Sequence, residues 1–468
     1  MGGNMKQNRF LQNLLLLFLI LSVAFLSFSC SKDSKDKGPV GPVDGSYPSI
    51  TIGIFSDLHY YDPALGTSSD AFADYLAQDR KMLAESQAIL EAALNMMMAE
   101  QVEVVLVPGD LTKDGEKQSH EQVAAYLAQL EASGKIVYVI PGNHDIQNPH
   151  AFSYPDGSDP VAVASVTPQE FKTIYNQFGF EEAIASDPNS LSYIVQPKDS
   201  IWVLAIDGCN YNSKFPELSR IAGDLKPETM TWIKSKLQEA QSSGITVFGM
   251  MHHGLVEHFP SMDAIFPDYL IYDWRDKATE LAAAGLNIIF TGHHHANDIA
   301  QLTDAGNYVI DVQTGATVTW PCPIRIAAFD GENNTLEIIT KHIESISSNT
   351  GGVAFQDYAK NFLATGLPPI VIAELQTLGM DQATATQFAQ LVVPTLMAYY
   401  YGDEPLHQDP AVLAGINQVM SSGDPLAFQF GMLLLGIWND PTPDNSVTID
   451  FATGKISEKT SSPLFVFK

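Results

Sequence analysis

VEVVLVPGD, residues 102–110, and IVYVIPGNHD, residues 136–145, each place a continuous apolar run directly before a proline, a glycine and a polar side chain. Apolar runs of this length are typical of strands that are buried on both faces of a sheet. Segments with helical spacing, such as Glu116–Ala132, lie between runs of this kind. Strands that alternate with helices predict a layered α/β domain.

Five short polar motifs follow predicted strands of this type. They are Asp57-Leu58-His59, Gly109-Asp110, Gly142-Asn143-His144-Asp145, Met251-His252-His253 and Gly292-His293-His294-His295. One Gly-Asp pair after a strand is usually only a turn, but open α/β sheets bind ligands beyond the carboxyl ends of their strands. Five such motifs in order therefore predict a single site.

The residue types in these motifs favour a catalytic metal site. Asp57 and His59 are two residues apart, so in extended backbone both side chains point to the same side. The same geometry is expected for His293 and His295, with His294 pointing away. Imidazole and carboxylate ligands without thiolate suit Mn²⁺, iron or Zn²⁺. His252 and His253 are adjacent, so only one of the two is expected to face the metals.

The order of these motifs resembles that of the calcineurin-like metallophosphoesterases over about residues 50–300. The resemblance implies an α/β fold, a four-layer β-sandwich of two mixed sheets flanked by helices, and a hydrolase that acts on ester bonds. It also implies two divalent metal ions, Mn, Fe or Zn, and favours His252 over His253. The implied ligands of the first ion are Asp57, His59, Asp110 and His295, and those of the second are Asp110, Asn143, His252 and His293.

The same resemblance implies that a hydroxide bridging the two metals attacks phosphorus. His144 would stabilise or protonate the leaving oxygen, and Asp145 would orient His144. Residues 109–120, GDLTKDGEKQSH, resemble a subgroup that is cyclic-nucleotide phosphodiesterase-like and often carries a C-terminal helical domain. A small phosphodiester such as a cyclic nucleotide is therefore the expected substrate. Three further histidines are candidates for substrate binding: His120, His253 and His258.

Two other functions compete with phosphodiester hydrolysis. The first is a phosphomonoesterase or nucleotidase that scavenges phosphate, since the motifs do not distinguish monoesters from diesters. The second is a non-enzymatic surface lipoprotein that binds ligands through the same scaffold. That alternative predicts that some metal ligands are lost, whereas every implied ligand position is intact.

The protein is strongly acidic, with a formal charge of −29 over 468 residues. Such a surface disfavours nucleic acid polymers as partners. A small phosphoester remains compatible with an acidic surface, because salt screens the fields of exposed charges beyond about 8–10 Å. Within the site, two divalent ions outweigh the Asp57 and Asp110 carboxylates, and Asn143 adds no charge. The site is therefore expected to be net positive.

The chain is expected to divide near the linker SISSNTGG, residues 345–352. We predict a metallophosphoesterase domain over 47–345 and a C-terminal helical domain with a terminal strand segment over 353–468. Tyr399-Tyr400-Tyr401 in the second domain could cap the active site or pack between the domains. The sequence also predicts a continuous helix over Asp70–Ala99, separate helices over Phe355–Ala364 and Pro369–Leu378, and strands over Val447–Phe451 and Leu464–Phe467.

The N-terminus is predicted to be a targeting signal. Residues 1–29 combine Lys6 and Arg9 with a leucine-rich apolar run, which is typical of a signal peptide. The stretch Leu26–Cys30 resembles a bacterial lipobox, which implies a lipid on Cys30 and a membrane-anchored protein in the cell envelope. Residues 30–46 are expected to be a flexible tether. Their Ser-Lys-Asp cluster resembles the lipoprotein export signal of Bacteroidetes, which implies exposure at the outer surface.

Overall fold

The computed structural model describes residues 48–211, 221–440 and 442–459. The predicted signal peptide over 1–29 and the whole predicted tether over 30–46, with Cys30, lie outside these residues, as does the predicted strand Leu464–Phe467. Within the described ranges, no helix combines the length and the apolar content needed to cross a bilayer.

In the part of the chain that the structure describes, sixteen strands form two large sheets and one hairpin. They are β1 Ile50–Ile54, β2 Val104–Pro108, β3 Ile136–Ile140, β4 Phe152–Ser153, β5 Val161–Ala162, β6 Ala185–Ser186, β7 Tyr193–Lys198, β8 Ile201–Ile206, β9 Thr246–Met251, β10 Ile288–Thr291, β11 Asp298–Asp304, β12 Asn307–Gln313, β13 Pro323–Asp330, β14 Thr335–His342, β15 Ser446–Asp450 and β16 Lys455–Glu458.

Both large sheets are seven-stranded and mixed. The first has the order β16-β15-β14-β13-β1-β2-β3, in which β1, β2 and β3 are parallel. The second has the order β11-β12-β10-β9-β8-β7-β6, in which β8, β9, β10 and β12 are parallel. The sheets share one apolar core, to which Leu106 of the first and Phe248 of the second contribute completely buried side chains. Each such side chain contributes about 1.5–3 kcal/mol through burial.

Helices cover the two sheets and form the C-terminal region. They are α1 Asp70–Leu76, α2 Ser86–Ala99, α3 Lys117–Ala132, α4 Pro168–Ile174, α5 Pro227–Ser242, α6 Met262–Ile265, α7 Trp274–Ala284, α8 Phe355–Thr377, α9 Gln382–Tyr401, α10 Pro410–Met420 and α11 Pro425–Trp438. The predicted fold class, a sandwich of two mixed sheets flanked by helices with further helices at the C-terminus, is confirmed.

The prediction of one helix over Asp70–Ala99 is wrong. Helix α1 ends at Leu76, and a six-residue connection precedes a short 3₁₀ turn that leads into α2. The amide of Lys81 donates to the Asp79 side chain at 3.0 Å, and the amide of Met82 donates to the carbonyl of Val318 at 2.8 Å. Because these amides have partners outside a helix, the connection keeps an irregular path between the two helices.

The prediction of two separate helices over Phe355–Leu378 is also wrong. Helix α8 runs through both Pro368 and Pro369. An interior proline costs about 3 kcal/mol, because it removes a backbone hydrogen bond and crowds the preceding turn. Leu363, Leu367 and Val371 continue as one buried stripe at intervals of four residues. Their packing is worth several kcal/mol and offsets the proline penalty.

The C-terminal region contacts both sheets. Helices α8 and α9 contribute Leu367 and Tyr399 to the apolar layer behind the second sheet. Strand β15 pairs with β14, with Val447 opposite Ile338, and β16 pairs with β15. The terminal strand segment therefore extends the first sheet of the sandwich. The division of the chain near residue 345 stays a prediction.

Candidate metal centre

All five polar motifs lie at the carboxyl ends of parallel strands. Asp57 follows β1, Asp110 follows β2, and Asn143 follows β3. His252 follows β9, and His293 follows β10, so the two sheets bring their motifs to the same edge of the sandwich. Open α/β sheets bind ligands at this position.

Four of the predicted ligands form a first group, comprising Asp57, His59, Asp110 and His295. The Nε2 atoms of His59 and His295 are 3.0 Å apart. His295 Nε2 lies 3.5 Å from Asp57 Oδ1, and His59 Nε2 lies 3.5 Å from Asp110 Oδ2. All four side chains are buried. Their ligand atoms thus converge on one point.

Asp110 also belongs to a second group, together with His252 and His293. His252 Nε2 lies 3.4 Å from Asp110 Oδ2 and 3.0 Å from Asn143 Oδ1. Nδ1 of His252 is 2.9 Å from the carbonyl of Pro108 and donates to it, which directs Nε2 into the group. The structure therefore brings together all seven predicted ligands, with Asp110 between the two groups.

Of the two adjacent histidines, His252 faces the groups and His253 does not. Nε2 of His253 donates to the backbone carbonyl of Ile221 at 2.9 Å. The ring of His253 packs against that of His293, with centroids 4.5 Å apart. His253 therefore packs behind the predicted ligand His293. The side chains of His252 and His253 point in different directions, as expected for adjacent residues.

The backbone at the predicted ligands is not extended, contrary to the sequence argument. Asp57, His59, Asp110, His293 and His295 all have positive φ, between 37° and 74°. This left-handed conformation costs a residue with a side chain about 1–2 kcal/mol, although Asp and His tolerate it better than most. The amide of His293 donates to Asp57 Oδ2 at 3.0 Å, and that of His59 donates to the carbonyl of Asp110 at 2.9 Å. These bonds offset part of the cost.

The donor set fits two divalent metal ions. Burial, and next the charge of Lys81, lowers the pKa of His59 well below its ordinary value, so the imidazole is neutral as a ligand must be. Burial raises the pKa of Asp57 to about 6, because the charge of His252 opposes this rise only in part and the charge of Asp110 adds to it. Burial likewise lowers the pKa of His293 and His295. Burial alone would also lower the pKa of His252, but the charge of Asp110 raises it to about 9, so a metal ion bound there would displace a proton. Buried carboxylates at these distances are costly unless a cation lies between them.

The match to a known family decides what this arrangement is. The profile of the family described as calcineurin-like phosphoesterase matches residues 50–297, which contain all five motifs. The chain belongs to the calcineurin-like phosphoesterase family. It is accordingly a metal-dependent phosphoesterase with a dinuclear type of site.

Two solved structures resemble this calcineurin-like phosphoesterase. A dimetal phosphatase from Danio rerio is 14% identical with a TM-score of 0.45, and the match covers 64% of this chain and 98% of that one. A purple acid phosphatase from yellow lupin (Lupinus luteus) seeds is 13% identical with a TM-score of 0.41, over 65% of this chain and 53% of that one. At these scores the likeness says nothing more about this phosphoesterase. No curated protein is significantly similar to the chain.

His144 of this phosphoesterase lies on the open side of the two groups. Its side chain is 28% exposed, and Nε2 lies 4.0 Å from Asp110 Oδ2. Nδ1 is 2.9 Å from Asp114 Oδ1 and donates to it. Burial alone would lower the pKa of His144, but the charge of Asp110 and the bond to Asp114 raise it. The ring can therefore present an N–H to a bound oxygen.

Asp114 is a functional candidate that the sequence argument missed, and the role predicted for Asp145 is wrong. The oxygens of Asp145 accept from the amides of Gly142 at 2.8 Å, Thr112 at 3.0 Å and Leu111 at 3.1 Å. Asp145 thus fixes the loops that follow β2 and β3, and it does not orient His144. The spacing GDLTKDG, residues 109–115, was the available signal for Asp114.

Two predicted substrate contacts lie away from the metal groups. His120 is completely buried, and its ring nitrogens lie 2.8 Å from the carbonyl of Asp145 and 2.8 Å from the hydroxyl of Tyr175. The side chain of His258 is also inaccessible and lies between Asp298 and Asp311, at 3.0 and 3.5 Å. His120 bonds to interior polar groups and His258 lies between two buried carboxylates, so the structure does not bring either histidine to the metal groups.

Two basic residues beside the groups were also missed. Arg80 and Lys81 lie in the connection between α1 and α2. After burial, the charges of Arg80 and Lys81 help to lower the pKa of His295. Asp79 interacts with both cations and lies 3.4 Å from Lys81 Nζ. Two cations that share one carboxylate add positive charge next to the metal groups.

Helix α9 reaches the loop that carries His293 and His295. The hydroxyl of Tyr399 lies 3.0 Å from Nδ1 of His294, which points away from the metal groups as predicted. Tyr399 and Tyr400 are buried and form part of the apolar layer behind the second sheet. Tyr400 also interacts with Arg80 beside the metal groups. Tyr399 and Tyr400 therefore pack against the sandwich, and a role of the three tyrosines at the active site stays a prediction.

Proposed function

We propose that this phosphoesterase hydrolyses a small phosphodiester whose leaving group is an alcohol, such as a cyclic nucleotide. The observation that carries the proposal is the His144–Asp114 pair on the open side of the metal groups. An alkoxide is a poor leaving group and must be protonated as its bond to phosphorus breaks. A partly exposed imidazole held by a carboxylate supplies that proton.

The seven predicted ligands would hold two divalent ions, which activate water and offset the charge that develops on the phosphate oxygens. The chain itself positions the reaction. Asp110 accepts the amide of His144 at 2.9 Å, so the backbone of His144 is fixed relative to the ligand shared by both groups. Asp114 fixes the ring from Nδ1, which leaves Nε2 free to donate to the leaving oxygen.

The preference for a diester rests on the resemblance of residues 109–120 to the cyclic-nucleotide phosphodiesterase-like subgroup. To test it, Mn²⁺-loaded enzyme should be compared on bis(p-nitrophenyl) phosphate, p-nitrophenyl phosphate and 3′,5′- and 2′,3′-cyclic nucleotides, with Asp110→Ala as the blank. We expect kcat/KM for diesters to exceed that for monoesters by at least about tenfold. The opposite order would refute the diester assignment while leaving the phosphoesterase intact.

A phosphomonoesterase or nucleotidase is the second candidate, and Arg80 and Lys81 favour it. A monoester carries one more negative charge than a diester, and both cations lie beside the same carboxylate, Asp79. If monoesters are the substrates, Lys81→Met should lower kcat/KM for p-nitrophenyl phosphate more than for its bis ester. Equal losses on both substrates would instead assign Lys81 a structural role.

We further infer that a lipid on Cys30 holds the enzyme in the cell envelope. Cys30 lies outside the described residues, so this inference rests on the sequence. Metabolic labelling with an alkyne fatty acid in a bacterial host should label the wild type and not Cys30→Ser. Cys209→Ser is a matched control and should keep the label. Equal labelling of Cys30→Ser would contradict the inference.

A further inference from the structure

A cluster of three carboxylates, separate from the two metal groups, lies where the C-terminal region meets the sandwich. Asp298 begins β11, Asp440 follows α11, and Asp444 precedes β15. One oxygen from each of the three lies within 4.8 Å of the others. Their exposed fractions are 1%, 9% and 0%. Three carboxylates with so little access to water are costly unless they are neutralised.

A fourth carboxylate, Glu404, provides an independent sign of a missing partner. Its side chain is completely buried, and neither of its carboxylate oxygens has a hydrogen-bond partner. Burial, and next the charges of Asp444, Asp298 and Asp440, raise the pKa of Glu404 well above its ordinary value, so Glu404 adds to the same buried negative charge. Oδ2 of Asp298 is likewise buried and without a partner. We call Asp298, Glu404, Asp440 and Asp444 the junction cluster.

The nearby cations do not balance this cluster. Nδ1 of His258 lies 3.0 Å from Asp298 Oδ1 but is not aligned for a hydrogen bond, and Asp311 shares the same histidine. Arg325 donates to the carbonyls of Asp444 and Gln313 and not to a carboxylate. Among the described residues, six acidic side chains therefore interact electrostatically with the two cations His258 and Arg325 or with one another. These carboxylates are the four of the junction cluster, Asp311 and Asp403.

We propose that the junction cluster binds one structural Ca²⁺ ion. Its donors are carboxylate oxygens without thiolate, and the one nearby imidazole is already held between two carboxylates, which suits a hard cation. Ca²⁺ accepts six to eight oxygens in flexible geometry, whereas Mg²⁺ requires near-ideal octahedral geometry and retains several waters. A site this dry therefore favours Ca²⁺.

The surrounding hydrogen bonds already position the ligands. Asp444 Oδ1 accepts the amide of Ile299 at 2.9 Å, and its Oδ2 accepts the amide of Asp403 at 2.8 Å. Each oxygen keeps a second lone pair for a cation. Asp298 comes from the sandwich, and the other three come from the C-terminal region, so the ion would join the two. Without it, protons must take its place: burial, and next the charge of Asp298, raises the pKa of Asp440 to about 7.

The first test counts ions in the full-length protein. The protein is stripped of metal, reloaded with two equivalents of Mn²⁺ to fill the catalytic groups, and dialysed against about 1 mM Ca²⁺. We expect one Ca²⁺ per chain and a higher Tm than in Ca²⁺-free buffer. Asp110→Ala should lose Mn²⁺ and keep its Ca²⁺, which separates this proposal from the proposed function. A wild type that binds no Ca²⁺ would show that the cluster holds protons instead.

The second test removes one ligand at a time. Asp440→Asn and Glu404→Gln keep the side-chain shape, and we expect each to weaken Ca²⁺ binding by roughly tenfold or more. Both should lose the Ca²⁺-dependent rise in Tm and keep two Mn²⁺ per chain. Glu374→Gln, which removes an exposed carboxylate from α8, is the matched control and should behave as wild type. Unchanged Ca²⁺ binding in Asp440→Asn and Glu404→Gln would overturn the proposal, and if one variant fails to fold, the other decides.

Discussion

At the scale of single residues, two carboxylates position His144, one through its backbone and one through its ring. Asp110 fixes its backbone amide at 2.9 Å, and Asp114 fixes its Nδ1 at 2.9 Å. The adjacent Asp145 instead holds the loops through three amides. Orientation of the ring and rigidity of its loop therefore depend on different side chains.

The first prediction concerns Asp114→Asn. The amide cannot stabilise a charged imidazolium, so kcat should fall by roughly 10–100-fold with alkyl phosphoesters. The loss should be smaller with p-nitrophenyl esters, whose leaving group needs no proton. Metal content should stay at the wild-type value. Asp74→Asn, which removes an exposed carboxylate from α1, is the control.

Measurements of kcat across leaving groups, in Asp114→Asn, His144→Ala and the double variant, complete the test. If the two residues act as a unit, the double variant should lose little more than His144→Ala alone. Additive losses would contradict the pairing, and loss of metal from Asp114→Asn would assign that residue to the metal groups.

The second prediction concerns Asn143, whose Oδ1 lies 3.0 Å from Nε2 of His252. Asn143→Asp adds a negative charge to a site that must attract a phosphate. We expect KM to rise roughly tenfold while metal content holds. Asn95→Asp makes the same charge change at an exposed position of α2 and should leave KM unchanged. An unaltered KM in Asn143→Asp would argue against the electrostatic explanation.

The sequence predicts which residues converge but not how their backbone allows it. The motifs locate all seven ligand positions because parallel strands end at the same edge. Spacing of two residues suggests extended backbone, yet His293 and His295 are left-handed. Asp114 and Arg80 were missed because their roles depend on the path of loops, and local patterns do not determine that path.

At the scale of elements, helix α9 acts on the catalytic loop through one hydroxyl. Tyr399 contacts Nδ1 of His294 at 3.0 Å and lies 3.3 Å from Nε2 of Gln313. His294 stands between two predicted ligands, so this contact limits the movement of the loop. The periodicity of the sequence predicts helix α9. It does not predict that the helix contacts His294, because the two residues in contact are 105 positions apart in the sequence.

The third prediction tests that contact with Tyr399→Phe. Removal of the hydroxyl leaves buried polar groups of His294 and Gln313 without a partner, which should cost about 1–2 kcal/mol of unfolding free energy. Mn²⁺ affinity should weaken as well, because the loop loses a restraint. Denaturant unfolding and metal titration measure the two effects. Tyr401→Phe is the matched control on the same helix, and equal effects in both variants would contradict the prediction.

Interruptions within elements were harder to foresee than the elements themselves. The connection between α1 and α2 exists because the amide of Met82 bonds to the carbonyl of Val318, some 240 residues away in sequence. Helix α8 continues through Pro368 because its buried stripe packs on both sides of it. In both cases tertiary contacts outweigh local propensity.

At the scale of the whole molecule, residues 446–458 return the chain to its first sheet. Strand β15 pairs with β14, and β16 forms the edge. The helices between β14 and β15 in the sequence contribute side chains to the apolar layer behind the second sheet. The sequence pattern predicted the strand Val447–Phe451, but not which sheet it joins, since pairing depends on contacts distant in sequence.

The fourth prediction is the effect of deleting residues 350–468. The deletion exposes the edge of β14 and uncovers the apolar layer to which Leu367 and Tyr399 contribute. We expect an insoluble fragment, because exposed edges and apolar surface promote aggregation. Expression and size-exclusion chromatography measure this outcome. A soluble fragment with altered substrate preference would instead favour a lid function for the helices.

The left-handed backbone at the predicted ligands constrains how this enzyme can evolve. Five of these positions combine a chemical requirement with a conformation that Gly, Asn, Asp and His adopt most readily. A change to Val or Ile would remove a ligand and also strain the fold, so selection would oppose it twice. Changes to Asn or Gly would remove only the ligand. Descendants that lose catalysis but keep a stable scaffold should therefore carry Asn or Gly at these positions.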